Sequence, residues 1–253
     1  MRVLAIGAHP DDIELQCGGT LALYAKQGDE VYAAVATNGD MGNYDVEPER
    51  LAAIREAEFR EACAVMGAAP IWMGYPDERL VPTLEHRLAF VDVIRRVDPD
   101  LVITHGPNDY HPDHRYTGQL VWDALPLAGV ASLKTAVPAT SRQVTLYYMD
   151  NTGGVGFQPT EFVDITDTIE KKKEALGRHL SQVRIFRQLM DVDLLDLVET
   201  VGKFRGYQAG CRYAEGFVKV EAWYRGLSRR LLPEGGRASL FEYKAAEDGG
   251  GEP

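Results

Sequence analysis

Short apolar runs alternate with longer amphipathic stretches over the first hundred residues. Residues 2–6 (RVLAI), 30–36 (EVYAAVA), 71–73 and 101–104 (LVIT) have the length and composition of buried strands. Between them, residues 17–27, 48–66 and 83–97 repeat apolar positions at helical spacing. Leu51, Ile54, Ala57, Phe59, Ala62 and Val65 mark one face of the second stretch, and Leu84, Leu88, Val91 and Ile94 one face of the third. Gly28 stands where a helix C-terminal glycine belongs, and Pro48 falls in a first helical turn. Strand–helix alternation of this kind predicts βα units around a mostly parallel sheet, an α/β fold.

Further on, residues 143–149 (QVTLYYM) and 162–165 read as strands. Residues 167–199 turn helical, opening on Asp167-x-x-Glu170 with the spacing of a capping box. The alternating segment 217–223 (FVKVEAW) reads as a last strand, so a small helix and strand extension closes the fold. There is no internal repeat and no long linker. Residues 1–232 are expected to form a single domain and 233–253 a tail, whose Gly- and acid-rich end, 245–253, is expected to be disordered.

Charge narrows the partners. Against 27 Lys and Arg stand 38 Asp and Glu, a net charge of −11, which argues against a broad phosphate-backbone interface and hence against nucleic acid. No run approaches the roughly 20 apolar residues of a membrane span, and the N-terminus enters charge without a signal-peptide core. A cytoplasmic protein without membrane association is expected. Cys17, Cys63 and Cys211 form neither CxxC pairs nor an even framework and read as buried thiols.

The chemistry is concentrated in two loops. Ala8-His9-Pro10-Asp11-Asp12-Ile13-Glu14 follows the first strand, and Asn108-Asp109-Tyr110-His111-Pro112-Asp113-His114 follows the fourth. Ligands of open α/β sheets bind at the carboxyl ends of strands, where such loops meet. Taken singly, either loop is made of ordinary turn residues, and Asp11 or Asp12 would serve equally as a helix cap. Together they offer what a divalent metal with an open coordination position needs: His9, Asp12 and His114 as ligands. Asp11 remains beside them as a general base, and His111, as imidazolium, as oxyanion donor and acid, with Asp113 behind it.

Five segments in order, AHPDDIELQCGGTLA, TNGDMG, LAAIREAEFREACAVMG, PDLVITHGPNDYHPDH and DITDTIEKKKEALGRHLSQ, resemble the LmbE-like (PIG-L) family of zinc-dependent N-acetylglucosamine deacetylases. The resemblance covers about residues 1–185, with YAEGF at 213–217 also similar. It implies a Rossmann-like fold, a homo-oligomer, one Zn²⁺ per subunit and hydrolysis of the N-acetyl amide of a small amino-sugar conjugate. By motif position it implies His9, Asp12 and His114 as metal ligands, Asp11 as base, and His111 with Asp113 at the oxyanion. Family members act on glucosaminyl-malate, glucosaminyl-inositol, chito-oligosaccharides or glycopeptide sugars, so the acceptor half stays open.

Arg55, Asn38, Asp40 and Tyr110 are the candidates for substrate contact. For Arg55 the competing reading is a helix-face salt bridge near Glu58, and for Asn38 and Asp40 a plain turn. His179 and Gln182 read as a packed, hydrogen-bonded pair, His105 as a buried histidine, the run Lys171 to Lys173 as a solvated face, and Gly18-Gly19 as close helix packing. Two rival functions stand beside the deacetylase. A non-haem Fe²⁺ oxygenase also uses two histidines and a carboxylate. A non-catalytic sugar-binding module would keep the fold without the chemistry.

Overall fold

The computed structural model describes residues 1–140, 142–222 and 231–235. Seven strands form one sheet: β1 (Arg2–Gly7), β2 (Glu30–Thr37), β3 (Ala69–Tyr75), β4 (Leu101–Thr104), β5 (Thr145–Met149), β6 (Glu161–Asp164) and β7 (Ala214–Lys219), in the order β3-β2-β1-β4-β5-β7-β6. The first five are parallel, and β7 runs antiparallel to both β5 and β6. The expected mostly parallel α/β sheet is present, with its two-stranded antiparallel edge supplied by the C-terminal part of the chain.

Alternation along each strand sends successive residues to opposite cores. From β1, Val3 and Ala5 face one side with α1 (Asp12–Lys26), α2 (Pro48–Met66) and α5 (Ile169–Leu176); Leu4 and Ile6 face the other, with α3 (Leu84–Val97) and α4 (Pro112–Ala128). Nearly continuous apolar strands follow from a sheet covered on both faces. Two further helices, α6 (Leu180–Met190) and α7 (Leu194–Ala209), complete the C-terminal part. Among the described residues no helix is long and apolar enough to cross a membrane.

The helix α1 begins at Asp12, five positions before the expected 17, so the first His/Asp loop runs directly into a helix N-terminus. Helix α4 was not anticipated. It opens inside the second His/Asp loop, where Pro112 takes the first turn and His111 is the N-cap, its Nδ1 accepting from the Asp113 N–H. Buried polar His114 and Thr117 and the small Gly118 interrupt its apolar face, and Pro126 its last turns. A Cβ at Gly118 would meet the His105 carbonyl oxygen, so only glycine lets α4 pack this closely on the end of β4.

The segment expected as one helical region over 167–199 is three helices. Thr168, not Asp167, is the N-cap of α5, with no side-chain cap bond, so the capping box does not form. The last strand lies at 214–219 rather than 217–223; Trp223 and the tail from 236 onward, including 245–253, lie outside the described residues. Lys172 is not on a solvated face: it is buried, and its Nζ meets Glu215 Oε1 at 2.5 Å. All three cysteines are buried free thiols.

Candidate active site

Strands β1 and β4 are adjacent at the point where strand order reverses, and the two His/Asp loops leave their carboxyl ends side by side. Three side chains converge there. His9 Nδ1 lies 3.1 Å from His114 Nε2, His114 Nε2 lies 3.2 Å from Asp12 Oδ1, and His9 Nδ1 lies 3.4 Å from Asp12 Oδ2. Metal–ligand bonds of about 2.0–2.2 Å in a tetrahedral arrangement separate ligand atoms by about 3.3–3.6 Å, close to what is seen.

The opposite edges of these groups are taken. His9 Nε2 faces Asp77 Oδ1 at 2.9 Å, which places its proton on that nitrogen and turns the Nδ1 lone pair inward. His114 Nδ1 donates to Asp109 Oδ1 at 2.9 Å, turning Nε2 inward likewise. Asp12 Oδ2 accepts from the His9 backbone N–H at 2.6 Å. Two imidazole lone pairs therefore meet at 3.1 Å beside a carboxylate, an arrangement that requires a proton or a metal cation between them. The pKa directions say the same. Burial disfavours charge on both rings, yet the surrounding carboxylates together outweigh it, Asp12 with Asp113 and Asp77 raising His9 well above its ordinary value and Asp12 with Asp109 raising His114 to about 9. The donor set fits a divalent cation.

Asp11 is the N-cap position of α1 but makes no capping bond; its carboxylate turns into the cleft. Its backbone sits at φ 135°, a region that L residues rarely occupy, so the loop holds it at some cost in strain. Burial pushes its carboxyl up to about 6, opposed by the Arg55 guanidinium, whose Nη2 lies 3.3 Å from Oδ1. Arg55 is buried and bound also to the carbonyls of Pro10 and Gly39, while Glu58 is engaged by Ser181. The helix-face salt bridge therefore does not exist, and Arg55 braces Asp11.

His111 offers Nε2 to the cleft, where Glu78 Oε1 lies at 3.1 Å. Because Nδ1 accepts from a backbone N–H, the ring is neutral with its proton on Nε2. Burial together with His9 and His114 lowers its pKa, again favouring the neutral donor over the expected imidazolium. The Asp113 carboxylate lies within 4.8 Å of a His111 ring nitrogen, and its charge favours the protonated ring. It accepts from the Glu78 N–H at 2.9 Å and lies 3.5 Å from His9 Nε2. The hydrogen bond to His111 comes from the Asp113 backbone N–H rather than from its side chain.

Tyr110 lines the cleft, edge-on to His111 and His114. Asn38 and Asp40 do not. Asn38 Oδ1 accepts from the Asp40 N–H, closing a turn, and Asp40 Oδ1 accepts from the Asp77 N–H, so this loop supports Asp77 from behind. His179 and Gln182 are hydrogen-bonded through the backbone, the Gln182 N–H donating to the His179 carbonyl at 3.0 Å, while the side chains diverge: Gln182 reaches the Gly42 carbonyl, and His179 Nε2 lies 3.4 Å from Glu14 Oε1. His105 is buried and stacked on His114, accepting from the Ala8 N–H. Sequence reading passed over Asp77, Glu78 and Asp109. The available signal was position: Asp77 and Glu78 follow the carboxyl end of β3 on the same rim.

The PIG-L family model, described as GlcNAc-PI de-N-acetylase, matches residues 4–125, which contain both His/Asp loops. Over 231 residues the chain is 32% identical to the diacetylchitobiose deacetylase of Thermococcus kodakarensis, covering 85% of this chain and 81% of that relative. The N,N′-diacetylchitobiose deacetylase of Pyrococcus horikoshii superposes with a TM-score of 0.75 at 29% identity, over 86% of this chain and 83% of that one. GalB, the 4-carboxy-2-hydroxymuconate hydratase of Pseudomonas putida KT2440, superposes with a TM-score of 0.78 at 23% identity, covering 91% of this chain and 100% of that one. That last likeness establishes the fold alone, and a hydratase on the same frame means that function must be argued from the site. Sequence identity along most of both chains, together with the matched motif region, settles the family: the chain belongs to the PIG-L (LmbE-like) family of N-acetylglucosamine deacetylases.

Proposed function

We propose that the protein is a zinc-dependent hydrolase that removes acetate from the N-acetyl group of an N-acetylglucosamine-containing small molecule. The observation that carries this reading is the inward convergence of His9 Nδ1, Asp12 Oδ1 and His114 Nε2 in a cleft that also holds the uncapped carboxylate of Asp11. A Zn²⁺ held by those three residues supplies a Lewis acid for the acetyl carbonyl and acidifies water at the open position.

Asp11 takes the proton from the attacking water, and Arg55 keeps its carboxylate oriented. The His111 Nε2–H, released from Glu78 when substrate enters, donates to the oxygen that becomes negative as the water adds. The carbon–nitrogen bond then breaks. His111 keeps its only ring proton, so Asp11, now protonated, is the acid that returns a proton to the departing amine. Asp113 acts one step back, fixing the loop turn at Glu78 and the His9 ring.

The deciding experiment is acetate release from N-acetylglucosamine conjugates by Zn²⁺-loaded and chelated protein. Release that disappears on chelation and returns with Zn²⁺ is expected. Metal-independent release would overturn the proposal, and oxygen consumption by Fe²⁺-loaded protein without acetate release would replace it with the oxygenase. A second expectation concerns the ring tautomers. Asp77→Asn and Asp109→Asn each weaken Zn²⁺ affinity by about 10–100-fold by loosening the imidazoles they orient. Competition with a chromogenic chelator measures this, and unchanged affinity in both variants would mean that neither histidine binds metal through the atom assigned.

A further inference from the structure

The start of α6 carries polar residues that the mechanism above leaves unused, His179, Ser181 and Gln182, and each reaches a different element of the site. Ser181 donates from its backbone N–H and its hydroxyl to Glu58, which stands one turn beyond Arg55 on α2. Gln182 lines the cleft, and its Nε2 donates to the Gly42 carbonyl at 3.3 Å. His179, fully buried at the N-cap position, faces Glu14 in the first turn of α1. Among the described residues neither the His179 ring nor the Glu14 carboxylate has a hydrogen bond elsewhere, so each is the other's polar partner.

These contacts converge on Asp11 and Arg55. The Arg55 guanidinium is held by two backbone carbonyls, those of Pro10 and Gly39, while its Nε is buried with no partner. Its direction therefore depends on where those two loops sit. The turn from Gly39 to Gly42 packs directly on it: a Cβ at either glycine would fall within 2.6 Å of Nη1, and one at Gly42 would also meet the Gln182 amide. Gln182 and Arg55 thus hold the same turn. On the other side, Glu14 follows Asp11 by one helical turn, so tethering it fixes the start of the helix from which Asp11 projects. The φ of 135° at Asp11 persists only where the surroundings impose it. Burial disfavours charge on His179, but Glu14 and Asp11 outweigh it and raise the ring above its ordinary value; that charge joins Arg55 in favouring the Asp11 carboxylate.

From this arrangement, and resting on the reading of Asp11 as the base, we infer that the start of α6 is a positioning element of the active site. Gln182 sets Arg55 through the 39–42 turn, His179 sets the start of α1 through Glu14, and together they keep the Asp11 carboxylate aimed into the cleft. Neither needs to touch substrate or metal to do so. A displacement of about 1 Å in a reacting group costs up to about 100-fold in rate, so the contribution is large enough to measure.

The test uses the full-length, Zn²⁺-loaded protein in two variants. Gln182→Met keeps the length of the side chain and loses the donor; Glu14→Gln with His179→Gln replaces the buried ion pair by two neutral amides. Because the paired substitution strands no buried charge, the fold is expected to survive it, and Tm checks this. Both variants are compared with wild type in acetate release and in backbone hydrogen exchange. Each is expected to lose about tenfold or more in kcat with KM and Zn²⁺ content unchanged. In an Arg55→Met background the further loss from Gln182→Met is expected to shrink below about twofold. Exchange is expected to quicken at residues 38–43 in Gln182→Met and at residues 11–15 in the paired variant, with the central strands unchanged. A raised KM at constant kcat would make Gln182 a substrate contact, and an undiminished loss in the Arg55→Met background would show that it acts apart from Arg55; either result overturns the positioning role. So does unchanged exchange in both segments. Quickened exchange in a protein that releases no acetate from any N-acetylglucosamine conjugate would keep the positioning element and sink the deacetylase. Acetate release by wild type at a rate that neither variant alters would do the reverse.

Discussion

Asp11→Asn is expected to lower turnover by about 10²–10⁴-fold while Zn²⁺ content and fold are retained, the size of effect that follows removal of a general base. The amide has the shape of the carboxylate and keeps an oxygen for Arg55, and neither Asp11 oxygen is among the three converging atoms. What it cannot do is accept a proton. Retention of activity to within about threefold would remove Asp11 from the mechanism, and loss of Zn²⁺ together with activity would make it a ligand instead. Metal analysis beside steady-state kinetics separates these results. The pH profile gives an independent check. Burial holds the Asp11 carboxyl up near 6 against the pull of Arg55, and the base must be ionised to work. Activity therefore falls as pH drops below that region, and a bound cation draws the midpoint lower. Replacing Arg55 with Met removes positive charge from beside Asp11, so the acid limb must move to higher pH. A limb that stays put would mean that another group titrates there.

Much of this site was legible because its chemistry is local. His9, Asp11 and Asp12 are fixed by one turn between β1 and α1, and His111 and His114 by one turn between β4 and α4, so each His-Pro-Asp segment carries its own geometry. Adjacency of the two turns required β1 and β4 to be neighbours, which the parallel strand pattern allows and the sheet order supplies. What sequence could not give was the ring that closes around them. Asp77 reaches His9 from a third loop, and nothing in the run PDERLVP distinguishes an orienting carboxylate from a turn residue. Asp113 shows the same limit: one residue beyond a proline at a helix start, its backbone N–H meets His111 while its carboxylate also accepts from the Glu78 loop, a partner the sequence does not reveal. Helix α4 was missed because a helix end built to hold ligands is not amphipathic. Buried His114 and Thr117, and a glycine demanded by the His105 carbonyl, interrupt the periodicity that would have revealed it.

Lys172→Ala is expected to destabilise the fold by about 3–5 kcal/mol, the cost of stranding one partner of a buried ion pair. In a Lys-Lys-Lys run the middle lysine read as solvated, yet its Nζ is 2.5 Å from Glu215 Oε1, and both side chains are nearly inaccessible. Glu215 is further bound by the Gly19 and Thr20 N–H groups, so this one carboxylate fastens α1 and α5 to β7. Without the ammonium it must either stay ionised with two backbone donors alone or take up a proton. Since domains of this kind are stable by only about 5–15 kcal/mol, urea unfolding will register the change plainly. Lys172→Met paired with Glu215→Gln removes both charges, and the double variant is expected to be more stable than the sum of the single losses predicts. Additive losses, or a Lys172→Ala cost under about 1 kcal/mol, would show the pair to be no more than a surface contact. The same helix α1 begins at Asp12, so the effect should extend to the site. Loosening its attachment to β7 frees the turn that holds Asp11 at φ 135°, and kcat should fall in Lys172→Ala protein even at temperatures where it remains folded.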